Sequence, residues 1–332
     1  MNYRIITYII GCILEFEAGF LILPVIVGLV YRETKASLAY CITSAVCLFF
    51  GFLLKRFRIK RKDLSTREGF LGVALSWLTM SIFGSLPFLI TGEIPDFIDA
   101  LFETSSGFTT TGASILSNVE ALTHASLFWR SFTHWIGGMG VFVFIMAILP
   151  LMGASTMNLM RAESPGPSVG KLVPRVKDTA KILYELYFGV TLASIITFLL
   201  CGMNLFNSLT IAFGTVGTGG FGIYNSSIAD YTPLQQNMIT LFMILSGVNY
   251  TLFFCLIRRR FKEAFSIDEV KWYFFIILTS AVTIAINTRH MYATIGETFR
   301  HSFFQVASLI TTPGFSTVDF DLWPELSRMV LI

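Results

Sequence analysis

Apolar positions along this chain do not alternate with polar ones; they run on. Predominantly apolar stretches of about 20 residues recur, each long enough to cross the hydrocarbon of a bilayer as a helix. They lie near residues 5–30, 36–54, 69–91, 127–152, 182–202, 234–257 and 272–288, and an eighth begins near 325. Arg4 ahead of the first run gives it the look of a secretory leader. That run is too long and has no small-x-small cleavage site, so it reads as a retained helix. Between some of the crossing runs lie shorter, moderately apolar stretches of about ten residues, half of what a crossing needs.

Three of these short stretches align on a glycine. They read "LFETSSGFTTTGAS" ending at Ser114, "LTIAFGTVGTGGFG" ending at Gly222, and "FQVASLITTPGFST" ending at Thr317. Each continues into residues rich in Thr and Gly and then a polar segment before the next crossing run. The aligned glycines are Gly112, Gly220 and Gly314, so the chain repeats itself with a period near 100 residues. A helix too short to cross fits a re-entrant element, and irregular backbone at membrane depth is tolerated only where it is buried in protein or lines a watery cavity. Carbonyl oxygens in a ring can replace the hydration shell of a potassium ion, and glycine reaches the required backbone angles most easily. The C-terminal ends of the short helices, with their partial negative charge, favour a cation in the same cavity. One Thr/Gly loop alone is an ordinary turn; three at matched places are not.

Composition supports the bilayer setting. Of 332 residues, 54% are hydrophobic and 14% charged, and 33 are phenylalanine, more apolar side chain than one soluble core of this length buries. The net charge of +3 says less than its distribution. Lys and Arg concentrate in 55–69, 161–181 and 258–271, which places all three loops on the cytoplasmic side with two crossings between each pair. Only Phe57, Phe261 and Phe265 fall among these charges, and no Tyr or Trp does, so the segments read as solvated loops and not as a nucleic-acid surface.

Other candidates weigh less. The five cysteines show no paired spacing and the four histidines no ligand cluster, so neither a disulfide framework nor a metal-ligand set is supported. "GTVGTGGFG" (214–222) looks like a phosphate-cradling loop, but no strand precedes it. Gly137, Gly138 and Gly140 in "HWIGGMGVFVF" most simply allow close helix packing. Glu15, Glu17, Glu103 and Arg130 are costly within a membrane; read as lying near a membrane face, they are explained by snorkelling or an ion pair as readily as by a transport role.

Taken together, "TREGFLGVALSW" (66–77), "FETSSGFTTTGAS" (102–114), "HWIGGMGVFVF", "MRAESPGP" (160–167), "LSGVNY" (245–250) and "FFQVASLITTPGFST" (303–317) resemble the membrane subunit of the Trk/Ktr/HKT potassium transporter superfamily, in its Trk form with an extra N-terminal helix pair. The resemblance implies an all-α polytopic membrane protein built of repeated units of helix, pore half-helix, filter loop and helix. It has about seven complete transmembrane helices and three re-entrant pore loops. The divisions are 1–67, an N-terminal hairpin with its basic loop; 68–165, pore repeat 1; 166–266, pore repeat 2; and 267–332, an incomplete pore repeat 3. Carried onto this chain, the potassium filter comprises Thr110, Thr111, Gly112 and Ala113; Thr218, Gly219, Gly220 and Phe221; and Thr311, Thr312, Pro313, Gly314 and Phe315, acting through backbone carbonyls. In that superfamily a glycine at this position goes with potassium preference, so the resemblance implies that Gly112 favours potassium over sodium.

It further implies potassium uptake without covalent catalysis or cofactor, in the bacterial cytoplasmic (inner) membrane. The partners it implies are a second copy in a homodimer and a cytoplasmic, nucleotide-binding regulatory ring. Whether flow is channel-like or coupled to sodium or protons stays open. A secondary transporter for a small solute is the alternative, although such proteins interrupt complete crossings at the midplane. Pro313 departs from the family pattern: it fixes its own φ and is expected to push Thr312 towards extended angles. The sequence ends at "LSRMVLI", without a fourth filter loop, so the chain is expected to be a fragment or to complete its filter by oligomerisation.

Overall fold

The computed structural model describes residues 3–56, 66–140 and 176–332. Most of the first two basic loops, "MRAESPGP" and the part of the predicted 127–152 crossing beyond residue 140 lie outside these. Among the described residues every regular element is helical. The chain forms two compact units, residues 1–181 and 182–332.

In the first unit, α1 (Tyr3–Val30) and α2 (Thr34–Lys55) form a hairpin, followed by α3 (Thr66–Thr91), the short α4 (Phe97–Phe108) and α5 (His124–Gly138). At 1.5 Å per residue α1 is about 42 Å long and α4 only about 18 Å, so α1 can cross a bilayer and α4 cannot. The hairpin turns at Arg32, which holds φ 62°. Its helices close on facing glycines: a Cβ on Gly11 would lie 2.8 Å from the Gly51 carbonyl oxygen, and one on Gly51 would lie 2.9 Å from that of Gly11. Such a backbone approach is how helices associate without a hydrophobic drive from water. The outward faces carry Leu29, Leu38, Phe49 and Phe52, all exposed, the reverse of a soluble protein's surface.

The second unit takes in α6 (Val176–Leu200) from residue 182, the short α7 (Leu205–Val216), α8 (Pro233–Gly247), α9 (Thr251–Ile257), α10 (Phe261–Ser266), α11 (Asp268–Thr288), α12 (Ile295–Ile310) and α13 (Glu325–Leu331). Phe198, Ile211, Ile239, Met243, Phe304 and Phe315 form its core, with α7 and α12 packed on α8. The run predicted as one crossing at 234–257 is two helices, α8 and α9, bent by 96° at Val248–Tyr250. The Ser246–Gly247 pair at the end of α8 is the kind of site where helices kink. Five described helices, or six if α8 and α9 count as one span, are long and apolar enough to cross.

The three short helices start alike. Asp96 caps α4 through the N–H groups of Ile98 and Asp99, Asn204 caps α7 through that of Asn207, and Thr294 caps α12 through that of Glu297. The helices that follow α4 and α7 are capped by Thr123 and Thr232, the latter with Gln235 in a reciprocal capping box. Each repeat thus has the same punctuation in its sequence: a polar cap, a short apolar run, a Thr/Gly loop.

Candidate functional site

The three loops leave their short helices by the same backbone course. Thr110, Thr218 and Thr312 take φ 55°, 55° and 73°, and two residues later Gly112, Gly220 and Gly314 take 75°, 84° and 71°. In an extended chain successive carbonyls point to opposite sides. Alternating the hand of the backbone from residue to residue cancels that alternation and turns them to one side, the arrangement a cation filter needs. Glycine adopts positive φ freely; a β-branched threonine there is strained. Three such threonines at matched positions make the loops the candidate site.

The helix ends explain how the strain is held. The Thr110 and Thr218 N–H groups bond back to Gly107 and Thr215, and the next N–H groups reach five residues back, Thr111 to Ser106 at 2.9 Å and Gly219 to Gly214 at 3.0 Å. This is the left-handed helix stop usually built on glycine. At the third loop Pro313 stands where that second donor would be, and the Gly314 N–H makes the bond to Ser308 instead, at 3.2 Å. Thr312 is therefore left-handed and not extended as its place before proline suggested: the helix stop imposes its angle against the pre-proline preference.

Of the candidate residues, those of the second and third loops come together. The Thr312 hydroxyl donates to the Thr218 carbonyl at 3.2 Å. The Pro313 carbonyl oxygen fills the space beside Gly220, where a Cβ would lie 1.5 Å from it. Beyond the loops, the Ile228 N–H donates to the Ser316 carbonyl and the Ser316 N–H to the Ser227 hydroxyl. The first loop belongs to the other unit and has its own supports. Gly137 of α5 lets that helix lie on the end of α4, since a Cβ there would sit 2.2 Å from the Phe108 carbonyl oxygen and 3.0 Å from Thr110 Cγ2. Gly247 of α8 stands similarly against Thr311, its absent Cβ 2.5 Å from Thr311 Cγ2.

Side chains one and a half to three turns back brace the outgoing segments. Glu103, seven residues before Thr110, is buried; it accepts from the Ser114 hydroxyl at 2.9 Å and the Ile115 N–H at 3.1 Å, and pairs with buried Arg130 of α5 at 2.7 Å. Gln305, seven before Thr312, donates to the Val318 carbonyl at 3.2 Å, and His301 meets the Thr317 hydroxyl at 2.9 Å. At the same place in the second repeat stands apolar Ile211. There Gln236 of α8 supplies the amide, within 3.1 Å of the Ile228, Ala229 and Tyr231 carbonyls. Sequence reasoning named Glu103 and Arg130 but not the bracing pattern; the shared offset of seven residues in Glu103 and Gln305 was its signal.

Residues 36–332 match the family described as TrkH, cation transport protein. The chain is 37% identical over 340 residues to the Trk system potassium uptake protein TrkH of Escherichia coli (strain K12), an alignment covering all of this chain and 70% of that protein. It is 33% identical over 341 residues to the Trk system potassium uptake protein TrkG of the same organism, covering 69% of it. The crystal structure of the potassium transporter TrkH from Vibrio parahaemolyticus superposes with a TM-score of 0.82 at 31% identity, over all of this chain and 69% of that one. With the apolar helices described above, these matches identify a multi-pass membrane protein, and the chain belongs to the TrkH family of cation transport proteins.

Proposed function

We infer that this chain carries potassium ions across the membrane as the pore-forming subunit of a Trk-type uptake system. The observation that carries the reading is the shared course of the three loops: a left-handed threonine and, two residues on, a left-handed glycine, each at the C-terminal end of a helix too short to cross. A potassium ion gives up water to the carbonyls of Thr110–Ala113, Thr218–Phe221 and Thr311–Phe315, and the helix ends behind them add partial negative charge. No bond is made or broken, so the protein transports and does not catalyse. The units of action are the pore repeats 68–165, 166–266 and 267–332, with 1–67 as an added hairpin. The working assembly sits in the bacterial inner membrane as a homodimer, with a cytoplasmic nucleotide-binding ring as its regulator; family membership and the basic segment 258–271 support that reading.

The test is potassium-limited growth and rubidium uptake in cells lacking their own potassium uptake, with Gly112→Ser as the diagnostic variant. Gly112 holds φ 75°, so a serine there both strains the backbone and crowds the oxygens. Sodium is expected to compete more strongly in the variant. Unchanged selectivity would remove Gly112 from the filter, and absence of uptake by the parent transporter would remove the function.

A further inference from the structure

Within the first unit's helices, Glu15 and Glu103 are paired as ionisable side chains in a bilayer ordinarily are. Glu15 accepts from Lys55 at 2.7 Å and Glu103 from Arg130. Glu17 has no such partner among the described residues. The sequence reading put it near a membrane face, yet it stands at the middle of the 28-residue α1, fully buried, and neither carboxyl oxygen has a hydrogen-bond partner among the described residues.

Its surroundings are specific. A Cβ on Gly84 of α3 would lie 3.0 Å from Glu17 Oε1, from Phe108 Cε2 and from Thr104 Cγ2. Gly84 is therefore the meeting point of the Glu17 carboxyl, the α3 backbone and the face of α4 that leads into the first loop. The nearby polar groups are committed elsewhere: the Thr104 hydroxyl donates to Ala100, the Ser44 hydroxyl to Ala18, and the Gly84 carbonyl accepts from Trp129 Nε1 at 3.0 Å. The titratable groups on the packed elements do not neutralise it. On α2, Lys55 is held by Glu15, Tyr40 bonds Ser126, and the Cys47 thiol is near enough to interact but brings no positive charge. On α5 and α4, Arg130 and Glu103 hold each other, and buried His134 stands beside Arg130. Arg67 and Glu68 begin α3, about 24 Å along the helix from Gly84.

A carboxylate with no partner at hydrocarbon depth costs several kcal/mol, whereas the neutral acid costs far less. We propose that Glu17 is a proton-binding site, occupied when α4 is seated on α1 and α3 as observed, and that loss of its proton unseats α4 and with it the first filter loop. Deprotonation gives the proton to water and leaves a carboxylate that draws water or a cation into the Gly84 contact. Packing that was apolar on the α4 side then opens. Transport by the full assembly would fall as pH rises through the titration of this group. The coupling rests on the potassium-uptake reading; the proton site does not.

The experiment compares parent, Glu17→Gln and Glu17→Leu in their complete native assembly, purified and reconstituted with equal pH on both sides. The first readout is the infrared difference between parent and Glu17→Gln. A carbonyl-stretch band of a protonated carboxylic acid at neutral pH, lost in the variant, is expected; a carboxylate band in its place, or no difference, overturns the proposal. The second is rubidium flux against pH. The parent should fall by up to about tenfold per pH unit above the titration of a single group. Glu17→Gln, which mimics the protonated form, should stay flat, as should Glu17→Leu, which replaces a buried polar group by an apolar one and so keeps the fold. A pH profile shared by all three overturns the coupling. The band without any flux from the parent would leave the proton site standing and sink both the transport reading and the coupling.

Discussion

At the scale of single residues, the loops depend on where a Cβ can go. Gly220 and Gly314 hold almost the same left-handed angle, so alanine at either costs roughly 1–2 kcal/mol from the backbone alone. Their surroundings differ. Beside Gly220 the Pro313 carbonyl fills the space, while nothing stands within 4 Å of a Cβ at Gly314. Gly220→Ala is therefore expected to lower the thermal midpoint of the purified protein and the rubidium flux well beyond Gly314→Ala; equal effects would show that the Gly220–Pro313 contact does not hold the second and third loops together. The sequence made the three glycines legible because they recur in register. It did not reveal that Thr110, Thr218 and Thr312 are left-handed, because threonine is among the residues least expected at such an angle and only the helix stop forces it. Nor did it show that Glu17 lacks a partner among the described residues, since partners come from other helices.

Among elements, the short helices were readable from length and from their caps, and the bend between α8 and α9 was not. An apolar run continues straight through "LSGVNY", so hydropathy joins what the backbone divides; the Ser–Gly pair was the local sign, and the Tyr273 hydroxyl donating to Ile244 at 2.9 Å is a tertiary support no pattern shows. The bracing side chains have unequal chemistry. Glu103 needs Arg130, whereas Gln305 does a comparable task without charge. Removing one partner of a buried pair costs about 3–5 kcal/mol because the other charge is left unpaired. Arg130→Leu is therefore expected to destabilise the first unit strongly, and adding Glu103→Gln to recover much of that loss. A double-mutant cycle on thermal midpoints reads the coupling; additive effects would show that the pair does not brace the loop as a unit.

For the whole molecule, sidedness follows from charge and from which helix ends are tied together. In the first unit the α1–α2 turn and the α3–α4 turn meet the start of α5: Glu33 accepts from the His124 and Ala125 N–H groups, and Glu93 from that of Thr123 at 2.7 Å. In the second, the end of α6 meets the start of α8 through Gln235 and the Cys201 carbonyl, and the turn after α11 meets the segment before α13 through Trp323 and the Tyr292 hydroxyl. These tied ends carry Glu33, Glu93, Asp96 and Glu120 beside Arg32 and Lys35 in one unit, and Asp319 and Glu325 beside Arg289 in the other, whereas Lys55 and Arg56 stand at the far end of α2 and Arg258, Arg259, Arg260 and Lys262 cluster where α9 meets α10. Basic ends stay in the cytoplasm. In a background with the five native cysteines replaced, Glu120→Cys and Asn225→Cys should react with an impermeant thiol reagent applied to intact cells. Lys262→Cys, on the exposed face of α10, should react only after the membrane is permeabilised. Labelling of Lys262→Cys from outside would invert the orientation of the second unit and place its two Thr/Gly loops at the cytoplasmic mouth, where they could not be part of the outer filter of an uptake pore.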